Sequence, residues 1–198
     1  MAADWSCVPE LAGRHVRLEP LSLAHVEALA TAVDGTGLDQ VWFTKVPSAA
    51  GMAAYVQSAL DDQAAGTMLP FVVRDGAGEV CGCTRFYELD AQVPRLSIGY
   101  TWYVPRVQRT GLNTEAKLLL LQYAFERLGC IAVGFETSWF NHASRAAIAR
   151  LGAKQDGVLR NHKRHGDGSP RDSVIFSILD TEWAAVKRHL QFRLDMHR

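Results

Sequence analysis

The sequence predicts an α+β domain in which one mixed sheet is flanked by helices. Three observations lead there. Hydrophobic period and turn chemistry give the 198 residues the order β-α-α-β-β-β-α-β-α-β-β-α, neither a strict βα alternation nor all-β. Two strand-like segments meet across Asp75-Gly76-Ala77-Gly78, a strong hairpin signal. Downstream, a helical segment carries Leu118–Leu121, apolar on every side, which requires burial on more than one face.

Taken in order, His15 to Leu21 (HVRLEPL) alternates apolar and polar side chains, as a half-buried strand does. Ser22 caps a helix running through Val26, Leu29 and Ala30 to about Val33. Asp34 to Gln40 holds two glycines and is a turn or loop. A helix from about Ser48 to Ala65 sets Met52, Tyr55, Val56 and Leu60 on one face. Met68 to Arg74 and Glu79 to Tyr87 are the hairpin strands, and Arg95 to Val104 is a third, stopped by Pro105. Thr114 to Leu128 is the clearest helix, closed by Gly129. A strand follows at Ile131 to Thr137, then a helix from about His142 to Leu151 capped by Asn141. Strands near Gln155 to His162 and Ser173 to Leu179 precede a last helix, capped by Asp180 and containing Trp183, Val186 and Leu190. Trp183 and Phe192 read as core. This makes about seven strands in one sheet, and with no linker or repeat the chain reads as a single domain over residues 1–198.

Composition narrows the function. Apolar residues make up 48% of the chain, enough for a sizeable core. No stretch approaches the ~20 apolar residues that span a bilayer. Met1 to Glu10 carries Asp4 and no basic segment before an apolar run, so no secretory signal and a cytoplasmic location are expected. With 21 basic and 21 acidic residues the chain lacks the charge excess of a general nucleic-acid binder, though a small basic pocket remains open to it. Cys7, Cys81, Cys83 and Cys130 have no partner pair at zinc spacing and read as reduced, mostly buried small residues. His162 and His165, flanking Lys163 and Arg164, read as a solvated hairpin tip, and no metal site is expected.

The most informative stretch is Trp102 to Lys117, WYVPRVQRTGLNTEAK. A strand ends, a short basic loop follows, and a long helix begins. Such a loop turns several backbone N–H groups toward one point, where the helix dipole adds partial positive charge and favours an anion. Gly111 leaves room for close approach to its backbone, and Arg106 and Arg109 can add charge-assisted contacts. On its own the loop serves equally well as a surface turn.

More of the chain matches. Gln108-Arg109-Thr110-Gly111-Leu112-Asn113 resembles the acyl-CoA pyrophosphate loop of the GNAT superfamily, Q/R-x-x-G-x-G/A, with Asn113 departing at the last position. Thr114-Glu115-Ala116 is similar to the helix start of its RimJ/RimL-like branch. Asn141-His142-Ala143-Ser144 with Leu151-Gly152 resembles the family's N-x-x-S segment, Ala153 standing where a Phe is usual. Gly157 to Arg160, Arg171-Asp172 and Glu182-Trp183 resemble the branch's last strands and helix.

This resemblance implies a GNAT fold with a mostly antiparallel sheet and a splayed central strand pair. It implies acetyl-CoA as co-substrate, its pyrophosphate on Arg109, Thr110, Gly111, Leu112, Asn113 and Thr114. Its pantetheine arm would lie along the backbone of Trp102, Tyr103 and Val104, within reach of Asn141. A backbone N–H there would stabilise the oxyanion. The acceptor is a primary amine, of a peptide or a small molecule, attacking the thioester directly. A carboxylate is the expected base: Glu136, with Glu88 as the alternative, while Glu136 reads equally as a solvated strand-end residue. The Tyr that many members place seven residues after the Asn is Ile148 here, which leaves Ser144 to hydrogen-bond the departing thiolate, or only to bond within its helical turn. Trp42, Phe43 and Lys45 fall in the connection that overhangs the acceptor site, where core packing is the other reading. Partners are limited to acetyl-CoA and the amine, with room for a homodimer and none for nucleic acid or membrane. The alternative is a CoA-binding or interaction protein that keeps the loop without the chemistry.

Overall fold

The computed structural model describes residues 4–196. Its strands are Leu11–Ala12 (β1), Val16–Pro20 (β2), Met68–Asp75 (β3), Val80–Asp90 (β4), Arg95–Tyr103 (β5), Ala132–Ser138 (β6), Lys154–Arg164 (β7) and Pro170–Leu179 (β8). They lie side by side in the order β1-β2-β3-β4-β5-β6-β8-β7. Every neighbouring pair is antiparallel except β5 and β6, which are parallel. A parallel pair needs a long crossover, and the helix Leu112–Glu126 (α3) supplies it. The other helices are Val26–Val33 (α1), Met52–Ala64 (α2), His142–Arg150 (α4) and Asp180–Asp195 (α5).

The period of β4 separates the two helical layers. Phe86 stacks on Tyr123 of α3, while its neighbour Arg85 lies over the ring of Tyr55 in α2. Successive strand residues face opposite sides, so α3 and α2 cover opposite faces of the sheet. The hairpin between β3 and β4 forms as its residues require. Asp75 Oδ1 accepts from the N–H groups of Ala77 (2.9 Å) and Glu79 (3.0 Å), and Gly78 takes φ 87°.

α3 is the keel of the core. Leu112, Ala116, Leu118, Leu120, Leu121 and Ala124 are all buried, which explains a helix that is apolar on every side. Each fully buried leucine contributes roughly 2 kcal/mol by removal from water. At its first turn the Glu115 carboxylate accepts from the N–H groups of Arg14 (2.9 Å) and His15 (2.5 Å), tying the helix to the β1–β2 turn. A Cβ on Gly13 would collide with that carboxylate, so the turn must pass there as glycine.

The structure departs from the sequence reading in several places. The sheet has eight strands, because β1 is only two residues long and too short to show a period. Ser22 caps a short 3₁₀ turn at Leu23–His25, and α1 begins after it. Phe192 is 63% exposed: the buried residues of α5 are Trp183, Val186 and Leu190, and Phe192 falls off that stripe. Cys7 is exposed, whereas Cys81, Cys83 and Cys130 are buried, and all four are free thiols. Among the described residues no helix is long and apolar enough to cross a membrane.

Candidate active site

β5 and β6 pair only at Arg95↔Ala132, Leu96↔Val133 and Ser97↔Gly134. Beyond that point each keeps its outer partner. β4 holds β5 as far as Gly82↔Tyr103, and β8 holds β6 as far as Ser138↔Ser173. Two strands anchored on their outer edges therefore part along their inner edges, leaving a gap in the middle of the sheet.

Local geometry shows why they part. Tyr100 and Thr101 both oppose Thr84, since Cys83 pairs with Trp102 and Arg85 with Gly99. This bulge twists and bends β5, and Tyr100 is held in the left-handed region at φ 52° to make it. At the fork the approach is close, because a Cβ on Gly134 would stand 2.7 Å from Ser97 Oγ. The N–H of Val104 donates to the Cys81 carbonyl at 2.9 Å. Alternate strand amides point to opposite edges, so the N–H of Tyr103 faces the gap. Of the backbone groups expected to pair with a pantetheine arm, that of Val104 is therefore committed to β4. The Tyr103 carbonyl is held by Gln108 Nε2 at 2.8 Å.

The loop into α3 lies at the end of β5. Arg109 takes φ 61°, and Thr110 Oγ1 donates to the Val107 carbonyl (2.7 Å) while accepting from Leu112 N–H (3.2 Å). Among the described residues, the backbone N–H groups of Arg109, Thr110, Gly111, Asn113 and Thr114 have no acceptor. A run of unpaired donors at the positive end of a long helix is a cradle for an anion. Two details correct the sequence reading. Arg106 is not free for that anion, being paired with Asp75 and bonded to the Val80 carbonyl. Gly111 lacks a Cβ for a different reason: one built there would meet the His15 ring at 3.3 Å and Leu194 at 3.6 Å, so the room is taken by packing.

On the β6 side, Asn141 caps α4 by accepting from Ser144 N–H at 3.0 Å. Its amide NH₂ and the Ser144 hydroxyl make no hydrogen bond among the described residues. Glu136 accepts from Lys163 (2.7 Å), Arg171 (3.1 Å) and Ser173 (3.0 Å). Burial pulls its carboxyl upward, but the bond and charge of Lys163, with Ser173 and Arg171, outweigh burial and hold it below its ordinary value. Glu136 is thus ionised at neutral pH within a network rather than a bare strand-end carboxylate. Glu88 accepts from Ser97 Oγ at 2.8 Å, at the fork itself. Between them sits Tyr87, its hydroxyl pushed up by burial and then by the charges of Glu88 and Glu136. The two candidate carboxylates therefore bracket the place where the strands divide.

Trp42 packs its ring 5.3 Å from Phe140 and 4.7 Å from His165, yet stays 48% exposed. His165 is buried, against the solvated-tip reading, whereas His162, Lys163 and Arg164 are exposed as that reading expects. No group of three or more His, Cys, Asp or Glu side chains among the described residues could hold a metal ion. Sequence reasoning missed Lys117. It is 6% exposed, and its Nζ donates to Thr101 Oγ1 (2.8 Å) and Thr84 Oγ1 (3.3 Å). Burial alone pushes its ammonium down to about 7. A lysine set between Ala116 and Leu118 in an all-apolar helical run was the available signal.

A sheet forked between parallel neighbours, with a donor-lined loop at the fork's open end, defines a class. The chain belongs to the acetyltransferase (GNAT) domain family, which matches residues 15–154. Within it, the chain is 32% identical over 110 residues to the Putative ribosomal N-acetyltransferase YdaF of Bacillus subtilis (strain 168). That match takes in 56% of this chain and 59% of the relative's own length. A GCN5-related N-acetyltransferase from Brucella melitensis superposes with TM-score 0.88 at 31% identity, over 98% of this chain and 88% of that one. RimJ from Mycobacterium smegmatis, in complex with CoA-disulfide, shares the fold with TM-score 0.77 at 21% identity, over 98% and 97% of the two chains. The name of the Bacillus subtilis relative agrees with the RimJ/RimL-like resemblance.

Proposed function

We propose that the protein is an acetyl-CoA-dependent N-acetyltransferase that moves an acetyl group to a primary amine, of a protein N-terminus or a small molecule. The observation that carries this reading is the parting of β5 from β6 after three residue pairs, beside a loop of unpaired backbone donors. Support for the co-substrate comes from the same-fold RimJ structure, which holds CoA-disulfide.

In this reading the N–H groups of Arg109, Thr110, Gly111, Asn113 and Thr114 bind the pyrophosphate, with Leu112 turned into the core. Tyr103 offers its N–H to the arm lying in the gap, and Trp102 and Val104 hold that strand against β4. Donors fixed before reaction stabilise the developing oxyanion without reorganising. Asn141 reaches the arm through its free amide NH₂. Ser144, one turn on, hydrogen-bonds the departing sulfur.

The acceptor must present a neutral amine. An alkyl ammonium is almost fully protonated at neutral pH, whereas an α-amine near ~8 is partly free already. Glu136, ionised and near the fork, takes the proton directly or through water, with Glu88 as the alternative. In this reading the ring cluster of Trp42, Phe140 and His165 meets the acceptor, which then carries apolar surface beside its amine. Incubation with acetyl-CoA and a library of amines and N-terminal peptides tests the proposal. Release of free thiol with matching acetylated product is expected. Tight acetyl-CoA binding with no turnover across the library would refute it.

A further inference from the structure

The buried amine of Lys117 has no part in the reading above, and its surroundings are unusual. It stands in the second turn of α3, on the face that packs under the bulge of β5. Only neutral oxygens meet it: Thr84 from β4 and Thr101 from β5, which also bond each other at 2.8 Å. The charged groups nearby are engaged elsewhere. Arg85 of β4 lies between the rings of Tyr55 and Tyr100 on the opposite face. Glu115 of α3 is bound to the Arg14 and His15 amides, and Glu136 of β6 is held by Lys163, Arg171 and Ser173. A buried ammonium without a carboxylate is costly, which is why such lysines surrender protons readily.

Thr101 connects this amine to the fork. Thr84 is fully buried, but Thr101 is exposed, and it lies in the β5 segment beyond the last pair with β6. Its backbone has the same strand parity as Tyr103, whose amide faces the gap. Thr101, exposed and with its backbone amide toward the gap, therefore borders it, while its hydroxyl bonds Lys117 and Thr84 and, at 3.4 Å, the Gly99 carbonyl.

We propose that Lys117 and Thr101 form the proton relay to the leaving sulfur. The inference rests on the gap being the thioester site. As the acceptor nitrogen bonds to the carbonyl carbon, the C–S bond breaks and its electron pair goes to sulfur. The sulfur takes the Thr101 hydroxyl proton while Thr101 takes one from the Lys117 ammonium. Lys117 is left neutral and regains, through the exposed Thr101, the proton that the acceptor nitrogen has shed to solvent or to the carboxylate. No proton is gained or lost overall. Ser144 can hydrogen-bond a thiolate, but a serine hydroxyl is too weak an acid to be the proton's source. An ammonium near 7 is a stronger acid than a thiol of ~8.5, so this transfer runs downhill.

The test needs one readout without turnover. Side-chain NMR of labelled lysine follows the Lys117 titration in the wild-type protein with acetyl-CoA and with CoA oxidised to its sulfonate, which carries a fixed negative charge at the sulfur position. That charge, facing the relay, raises the Lys117 titration above that in the acetyl-CoA complex. A purely structural lysine titrates alike in both, and that result would overturn the relay. Kinetics supply the second arm. Thr101→Val is expected to lower kcat by ~10²-fold or more with acetyl-CoA affinity unchanged, Thr101→Ser to restore it, and Lys117→Met to match Thr101→Val. Wild-type kcat in Thr101→Val would also overturn the relay, and that variant decides the matter should Lys117→Met misfold. If the wild type bound neither ligand, the reading of the gap itself would fail, a different outcome from bound ligands without linkage.

Discussion

Replacing Lys117 by methionine should stabilise the unliganded protein at neutral pH, against the usual direction of core substitutions. Methionine fills nearly the same volume and brings no charge. In the folded state the Lys117 ammonium is pushed from 10.5 down to about 7 by burial alone. The unfolded chain therefore holds more protons between those values, and wild-type stability rises with pH through that window. Below about 7 the whole cost of burying the charge is present, of order 5 kcal/mol from the difference between the two values. The substitution also removes two hydrogen bonds, worth about 1 kcal/mol each, from the hydroxyls of Thr84 and Thr101. Those hydroxyls keep their mutual bond at 2.8 Å, so neither is left without a partner. The expected net gain is therefore a few kcal/mol, about 3, near pH 6. It shrinks as pH rises and reverses at about pH 9, and only the lost hydrogen bonds remain once the pH is well above 10.5. Urea denaturation of both proteins across this range measures it directly. A difference in stability that does not change with pH, or a variant destabilised throughout, would show that Lys117 is not a buried charge.

Other substitutions probe the rest of the site. Gly82→Ala should destabilise the fold by about 1–3 kcal/mol by denaturation, because the new Cβ would strike the Trp102 carbonyl and push β4 from β5. Glu136→Gln is expected to slow turnover, with higher pH partly restoring the rate, and a flat pH response would move the base to Glu88 or water. The same variant should lose stability only above the acid range, since a carboxyl held below 4.5 contributes fully above that value and nothing once protonated. Ser144→Ala should lower kcat with little change in CoA affinity by calorimetry, and an unchanged kcat would leave Ser144 as a helix-turn residue.

The order of elements was legible because each is short-range in origin. The Asp75–Gly78 turn, the apolar run of α3 and the Asn141 cap all act within a few residues of themselves. The loop before α3 was legible for the same reason: strand end, glycine and helix start are adjacent in the chain. What the sequence did not display are distances across the fold. Gly111 answers to His15 and Leu194, Arg106 to Asp75, and Glu115 to the Arg14 and His15 amides, each partner far along the chain. Period alone could not reveal that Lys117 sits under a bulge, because the bulge comes from a register shift between β4 and β5. Phe192 misled for a simpler cause, since an aromatic residue in an amphipathic helix counts as core only on the buried stripe.

A crystal structure with CoA tests the central claim most directly. The account places the diphosphate within hydrogen-bonding distance, about 3 Å, of the backbone nitrogens from Arg109 to Thr114. It places the pantetheine arm between β5 and β6 beyond Ser97 and Gly134, against the Tyr103 amide. Electron density for CoA at another surface, or a liganded sheet in which β5 and β6 have closed into full pairing, would contradict it.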